Sequence, residues 1–179
     1  MAALSSIRRM RDIEFVSDLL IAVMHGPQSG NALTIDEFYR QYEEYETEFP
    51  GQSNARRVFN RVLDLIQELL PDIKETRWRN RTDFYSLFVV LSSHMRSPRP
   101  SPPIDAMRAA LDRFAAHIET LRNDDEGAVR QEVVTYLRSW ERGSSDRSRR
   151  VDRHEVLESI LAEFFVRPRG RSVDARPTQ

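Results

Sequence analysis

Apolar residues recur every three or four positions along most of the chain, the period of a helix packed on one side. Ile7, Met10, Ile13, Val16, Leu19, Leu20 and Val23 set the first stripe, with Ser6 as candidate cap and Gly26 and Pro27 as the stop. After the turn-rich loop GPQSGN, Thr34 and Glu37 have capping-box spacing, and Leu33 and Phe38 sit at staple positions. Ile35, Phe38, Tyr42, Tyr45 and Phe49 predict a second helix closed by Pro50 and Gly51. A third runs from about Ser53 to Leu70, with Val58, Val62, Ile66 and Leu69 on one face, and stops at Pro71. Residues 72–81 read as polar and irregular.

Thr82 to Met95 is different. Phe84, Leu87, Phe88 and Leu91 line one side, and Tyr85, Val89 and Val90 leave little of the other polar. A helix apolar nearly all round is buried on several sides, so this is the expected central helix. Asn80, Thr82 and Asp83 read as its cap and first turn. The run RSPRPSPP, Arg96 to Pro103, holds four prolines and reads as a stiff polyproline-like connector. Ile104, Met107, Leu111, Phe114, Ile118 and Leu121 mark a fifth helix, followed by a turn over Asn123 to Gly127. Val129, Val133, Leu137 and Trp140 mark a sixth. Asp152 and Glu155 look like the start of the last helix, with Leu157, Ile160, Leu161 and Phe164 as its stripe. The expectation is an all-α fold of about seven helices around 82–95. A four-helix unit spans 1–95, the connector 96–103, a three-helix second layer 104–166 and a disordered tail 167–179.

Composition narrows the function classes. Charged residues make up 31% of the chain, yet the formal net charge is −1, so no global field draws it to nucleic acid or anionic lipid. Lys74 is the only lysine, which fits either a GC-rich coding sequence or recognition by guanidinium forks. There are no cysteines, and a reducing cytoplasm is the default. Arg8, Arg9, Arg11, Asp12 and Glu14 interrupt any signal-peptide run, and no 18 apolar residues follow one another, so no membrane span is expected.

Chemistry is sparse. No two of His25, His94, His117 and His154 have the spacing that pairs imidazoles on one helix face, and neither a metal nor a cofactor is expected. Phosphate-loop, dinucleotide and nucleophile-elbow motifs are absent, so the chain does not read as an enzyme. Glu37, Glu44 and Glu48 lie near one face and suit a basic partner or plain solvation. Two arginine clusters remain. Arg77, Trp78, Arg79 and Arg81 precede the apolar helix, and Arg142, Arg147, Arg149, Arg150 and Arg153 precede the last stripe. Arginines alternating with an aromatic can grip a phosphate backbone and stack on a base. Arg77, Trp78, Arg79, Arg81, Arg149, Arg150 and Arg153 are therefore the candidate contacts to DNA or a partner. The alternative is that these arginines pair with the many carboxylates. A protein-interaction module or orphan fragment with no nucleic-acid role is the other reading, with Tyr39, Tyr45, Trp140 and Phe165 as its candidate exposed patch.

Four segments in order carry a family resemblance: RMRDIEFVSDLL, GPQSGNALTIDEFYRQYE, NRTDFYSLFVVL and SSDRSRRVDRHEVL, within about residues 7–165. Together they resemble the helical C-terminal portion of the ParB-like domain-of-unknown-function family two-six-two, which includes GmrSD-type modification-dependent restriction proteins. The resemblance implies kinship with DNA-targeting nucleases of prokaryotic phage defence. In that family catalysis lies in an N-terminal α/β domain with an Asp-Gly-Gln-Gln-Arg type motif, which this sequence lacks. The implied role is a non-catalytic helical accessory domain or subunit. Its catalytic ParB-like domain would come from another chain or a missing segment, and DNA is an implied partner.

Overall fold

The computed structural model describes residues 2–96, 102–123, 131–141 and 144–165. These form seven α-helices with no strand among them: α1 Ala2–His25, α2 Ala32–Tyr42, α3 Gln52–Leu69, α4 Arg81–Met95, α5 Ile104–Asn123, α6 Gln131–Glu141 and α7 Arg147–Leu161. The all-α expectation holds. Most of the proline-rich connector, Val129, most of the turn after Asn123, Arg142 and the tail beyond 165 lie outside the described residues.

α1 starts at Ala2, ahead of the Ser6 cap position, and beyond it helix boundaries depart from the sequence reading in three more places. α2 is capped by Asn31, whose Oδ1 accepts from the Thr34 N–H at 2.8 Å, so Thr34 is the donor and not the cap. Leu33 is exposed and staples nothing. α2 also ends at Tyr42, which leaves Tyr45 and Phe49 in the turns that lead to α3. Asn80 precedes α4, but its side chain donates back to the Arg77 carbonyl and caps no α4 amide. The third departure is the largest. α7 begins at Arg147, about a turn and a half before Asp152, and so takes in residues that read as loop.

α4 packs against α1, α3 and α7, and both its flanks are buried: Leu87, Phe88, Val90 and Leu91 are fully covered. α3 presents Val58, Val62, Leu65, Ile66 and Leu69 to it at helical spacing. α5 lies on α3, and α7 packs on α4 and α6. One apolar cluster runs through all of these, and Phe114 of α5 meets Tyr136 of α6 edge-on at 5.1 Å.

Arginines tie the helices end to side. Arg96 donates to the Val23 carbonyl at the end of α1. Arg108 of α5 donates to the Leu69 and Glu68 carbonyls at the end of α3. Arg61 of α3 reaches the Met95 carbonyl at the end of α4. Each guanidinium satisfies carbonyls left open by a helix C-terminus and places positive charge at the negative end of its dipole. Much of the arginine bias is therefore architectural.

Leu87→Ala should lower stability by about 3–4 kcal/mol, as expected for a fully buried leucine. The exposed Leu33→Ala should stay within about 0.5 kcal/mol. Urea unfolding followed by circular dichroism checks both.

Candidate functional site

Arg150 and Arg153 share the inner face of α7 with Leu157 and Leu161, three and four residues apart. An earlier helix start thus turns two presumed loop arginines into core positions. A buried guanidinium is tolerated when most of its donors are used, and in Arg150 only Nε is left without a partner. Arg150 makes a bidentate pair with Asp18 of α1, both bonds at 2.7 Å, and donates a third bond to the Gln28 carbonyl at 2.9 Å. Its guanidinium carbon lies 3.8 Å from the centre of the Tyr85 ring. Burial alone would lower the Arg150 pKa, but the Asp18 bonds and Tyr85 outweigh it and leave the group more firmly charged than usual.

The loop between α1 and α2 closes over this pair. Gly30 donates to the Ser145 carbonyl at 2.9 Å, and a Cβ at Gly30 would sit 1.9 Å from Arg150 Nη2. The glycine is there because the guanidinium occupies the space a side chain would need.

Arg153 is only 1% exposed. Its Nε donates to Ser86 Oγ of α4, and its two Nη atoms donate to the Ser139 and Ser144 carbonyls. Burial lowers its pKa from the ordinary arginine value. A third buried assembly joins the first arginine cluster to α4 and α6. Asp83 is fully buried and accepts from Arg77 Nη2 at 3.1 and 3.2 Å and from the Tyr136 hydroxyl at 2.7 Å. Burial, then Asp83, hold the Tyr136 pKa well above its ordinary value, so the phenol stays a donor.

The proposed contact residues thus divide. Arg77, Trp78, Arg150 and Arg153 are internal, and Trp78, 0% exposed, has no ring face free to stack on a base. Their assignment as surface contacts is corrected, because intrachain carboxylates, hydroxyls and carbonyls take up the three arginines and Trp78 is enclosed in the apolar core. Arg79, Arg81 and Arg149 stay on the surface. Arg81 pairs with Asp12 at 2.6 Å, and Arg149 lies 3.7 Å from Asp152. Asp83, read as a helix-start charge, is instead an internal acceptor. Asp18 was missed because a lone aspartate in an amphipathic helix looks like solvent-facing charge.

No family model, curated protein or solved structure matches the chain. The site has to be read from its own geometry. Among the described residues no group of three potential metal-ligating side chains converges. No described helix is long and apolar enough to cross a membrane.

The apolar surface lies elsewhere. Met10, Ile13 and Val16, assigned by their spacing to the inward stripe of α1, are 59%, 61% and 52% exposed. A groove of about 590 Å³ opens between α1 and α2, lined chiefly by Leu20, Met24, Phe38, Tyr39, Tyr42 and Phe49. Tyr39 and Tyr45 are exposed, as the interaction reading expected, but Trp140 is half-buried. Phe165 is buried and stacks on His94 at 4.2 Å, so it is not part of an exposed patch.

Gly30→Ala should cost about 2 kcal/mol or more by forcing Arg150 off Asp18 and leaving buried charge unpaired. Thermal unfolding should register it as a clear fall in midpoint. His154 supplies a pH test. Its Nδ1 is buried without a hydrogen-bond partner, and burial lowers its pKa below 6.5. The unfolded chain therefore takes up this proton first as pH falls. Stability should drop from about pH 6.5 downward until the folded pKa is passed, with no change from this group above that range. His154→Asn should remove that part of the slope in urea titrations between pH 8 and pH 5.5.

Proposed function

We propose that the chain is a non-catalytic helical accessory domain that docks a partner protein through the apolar face of α1 and α2. The observation that carries this reading is the continuity of that face. Met10, Ile13, Ser17, Leu20 and Met24 follow one another at alternating spacings of three and four, the seam pattern of a helix meant for another helix. Leu20 and Met24 line the groove beside α2, whereas Met10 and Ile13 are exposed above it. An exposed apolar stripe, interrupted here by Ser17, is a usual mark of an interaction surface.

Charge narrows the occupant. Asp36, Glu37, Glu43, Glu44, Glu46 and Glu48 are all exposed along and after α2, against a single Arg40. The fitting partner is an amphipathic helix with an apolar stripe and basic flanks. The family resemblance supplies a concrete candidate: the catalytic ParB-like domain of a DNA-targeting defence protein in a prokaryotic cytoplasm. Burial of the main arginine candidates favours this protein-docking role over direct DNA contact.

Co-expression with a ParB-like catalytic domain encoded beside this chain tests the reading. A one-to-one complex should appear by light scattering. Ile13→Asp, at an exposed position, should weaken it by about a hundredfold while leaving the unfolding midpoint unchanged, as for a central interface anchor. Absence of a wild-type complex, or one indifferent to Ile13→Asp, would contradict the proposal.

A further inference from the structure

We propose that the cleft between α1, the start of α4 and the loop before α7 is a binding site for a phosphate group. It encloses about 170 Å³, and its walls include Arg81, Arg150, Arg153, Thr82, Ser144 and Ser145, with Asp18 as the one carboxylate. Three guanidinium groups against one carboxylate leave two positive charges in excess. Asp18 is already committed, because both its oxygens accept from Arg150.

Arg153 is the group that asks for a ligand. A guanidinium has five N–H donors. Arg153 uses three of them on one hydroxyl and two backbone carbonyls, and among the described residues no carboxylate forms an ion pair with it. A buried cation held only by neutral acceptors retains an unscreened attraction for an anion. Burial depresses its pKa, the direction an incoming anion would reverse. Arg81 stands at the mouth, half exposed, and pairs with Asp12 on the outer surface. It also donates to the Arg11 carbonyl at 3.1 Å and lies over Phe15, and a phosphate in the cleft would replace these surface contacts with an enclosed one.

Size and chemistry select the ligand class. The volume is below the ~300 Å³ where sites for drug-sized ligands begin. It equals roughly five or six waters at ~30 Å³ each. That is room for one tetrahedral anion, either free or as the end of a larger molecule. Guanidinium forks with hydroxyl donors match phosphate oxygens.

The test is a titration of the intact chain with inorganic phosphate at constant ionic strength, with chloride as control. The arginine Nε–H resonances are followed by ¹⁵N NMR. Those of Arg81 and Arg153 should move along a saturating curve with phosphate and stay still with chloride. Arg81→Gln, at an exposed position, should weaken binding about tenfold, the scale of one charged hydrogen bond. Arg153 resonances that respond equally to both salts, or a dissociation constant untouched by Arg81→Gln, would overturn the proposal. Competition with a 5′-phosphorylated dinucleotide and its 5′-hydroxyl counterpart separates the sources. Displacement by the first alone assigns the site to a nucleic-acid end, and displacement by neither assigns it to free phosphate.

Discussion

The ion pair between Arg150 and Asp18 is the contact on which the arrangement of the helices depends. It joins residues 132 positions apart, in α7 and α1, and the same guanidinium lies on Tyr85 of α4 and against Gly30 of the α1–α2 loop. Four distant parts of the chain meet on one side chain. Apolar packing supplies most of the driving force for folding, but it is non-directional. A bidentate guanidinium–carboxylate pair fixes both distance and plane. Here it sets where α7 lies on the body and so what forms the walls of the cleft beside it.

Arg153 and Asp83 extend the same logic. Each is a charged group inside the core, three turns or less from apolar residues on its own helix, and each is held by groups from other helices. The four sequence segments singled out as motifs, at 9–20, 26–43, 80–91 and 144–157, are also the ones that supply these groups. Asp18 comes from the first, Gln28 and Gly30 from the second, Asp83, Tyr85 and Ser86 from the third, and Ser144, Arg150 and Arg153 from the fourth. What looks in sequence like a set of signatures is in space a group of buried polar assemblies inside a helical body. Its residues mark how the domain is held together, and the proposed docking surface uses other side chains of α1 together with α2.

The helical architecture was legible from sequence because periodicity is local. The stripes of α3, α4 and α5 are long and strong, and Pro71 and Gly26 mark real ends. The polar framework was not legible, because its partners are far apart and its residue types are ordinary on surfaces. Asp152 and Glu155 resemble a helix start as well as Asp146 does, and that choice alone decided whether Arg150 and Arg153 read as loop or core. The exposed end of α1 was hidden for the converse reason. Met10 and Ile13 fit the three-and-four spacing of the inward stripe, yet spacing alone does not say which side of a helix meets its neighbours, and both are exposed.

A double-mutant cycle on Asp18→Asn and Arg150→Met, read by urea unfolding, tests the central claim most directly. Each single change strands a buried polar group and should cost about 3–5 kcal/mol, whereas the double variant should recover at least about 2 kcal/mol of the summed loss. Additivity within about 0.5 kcal/mol would mean that the two residues do not act as a pair, and that α7 is held to α1 by apolar packing alone.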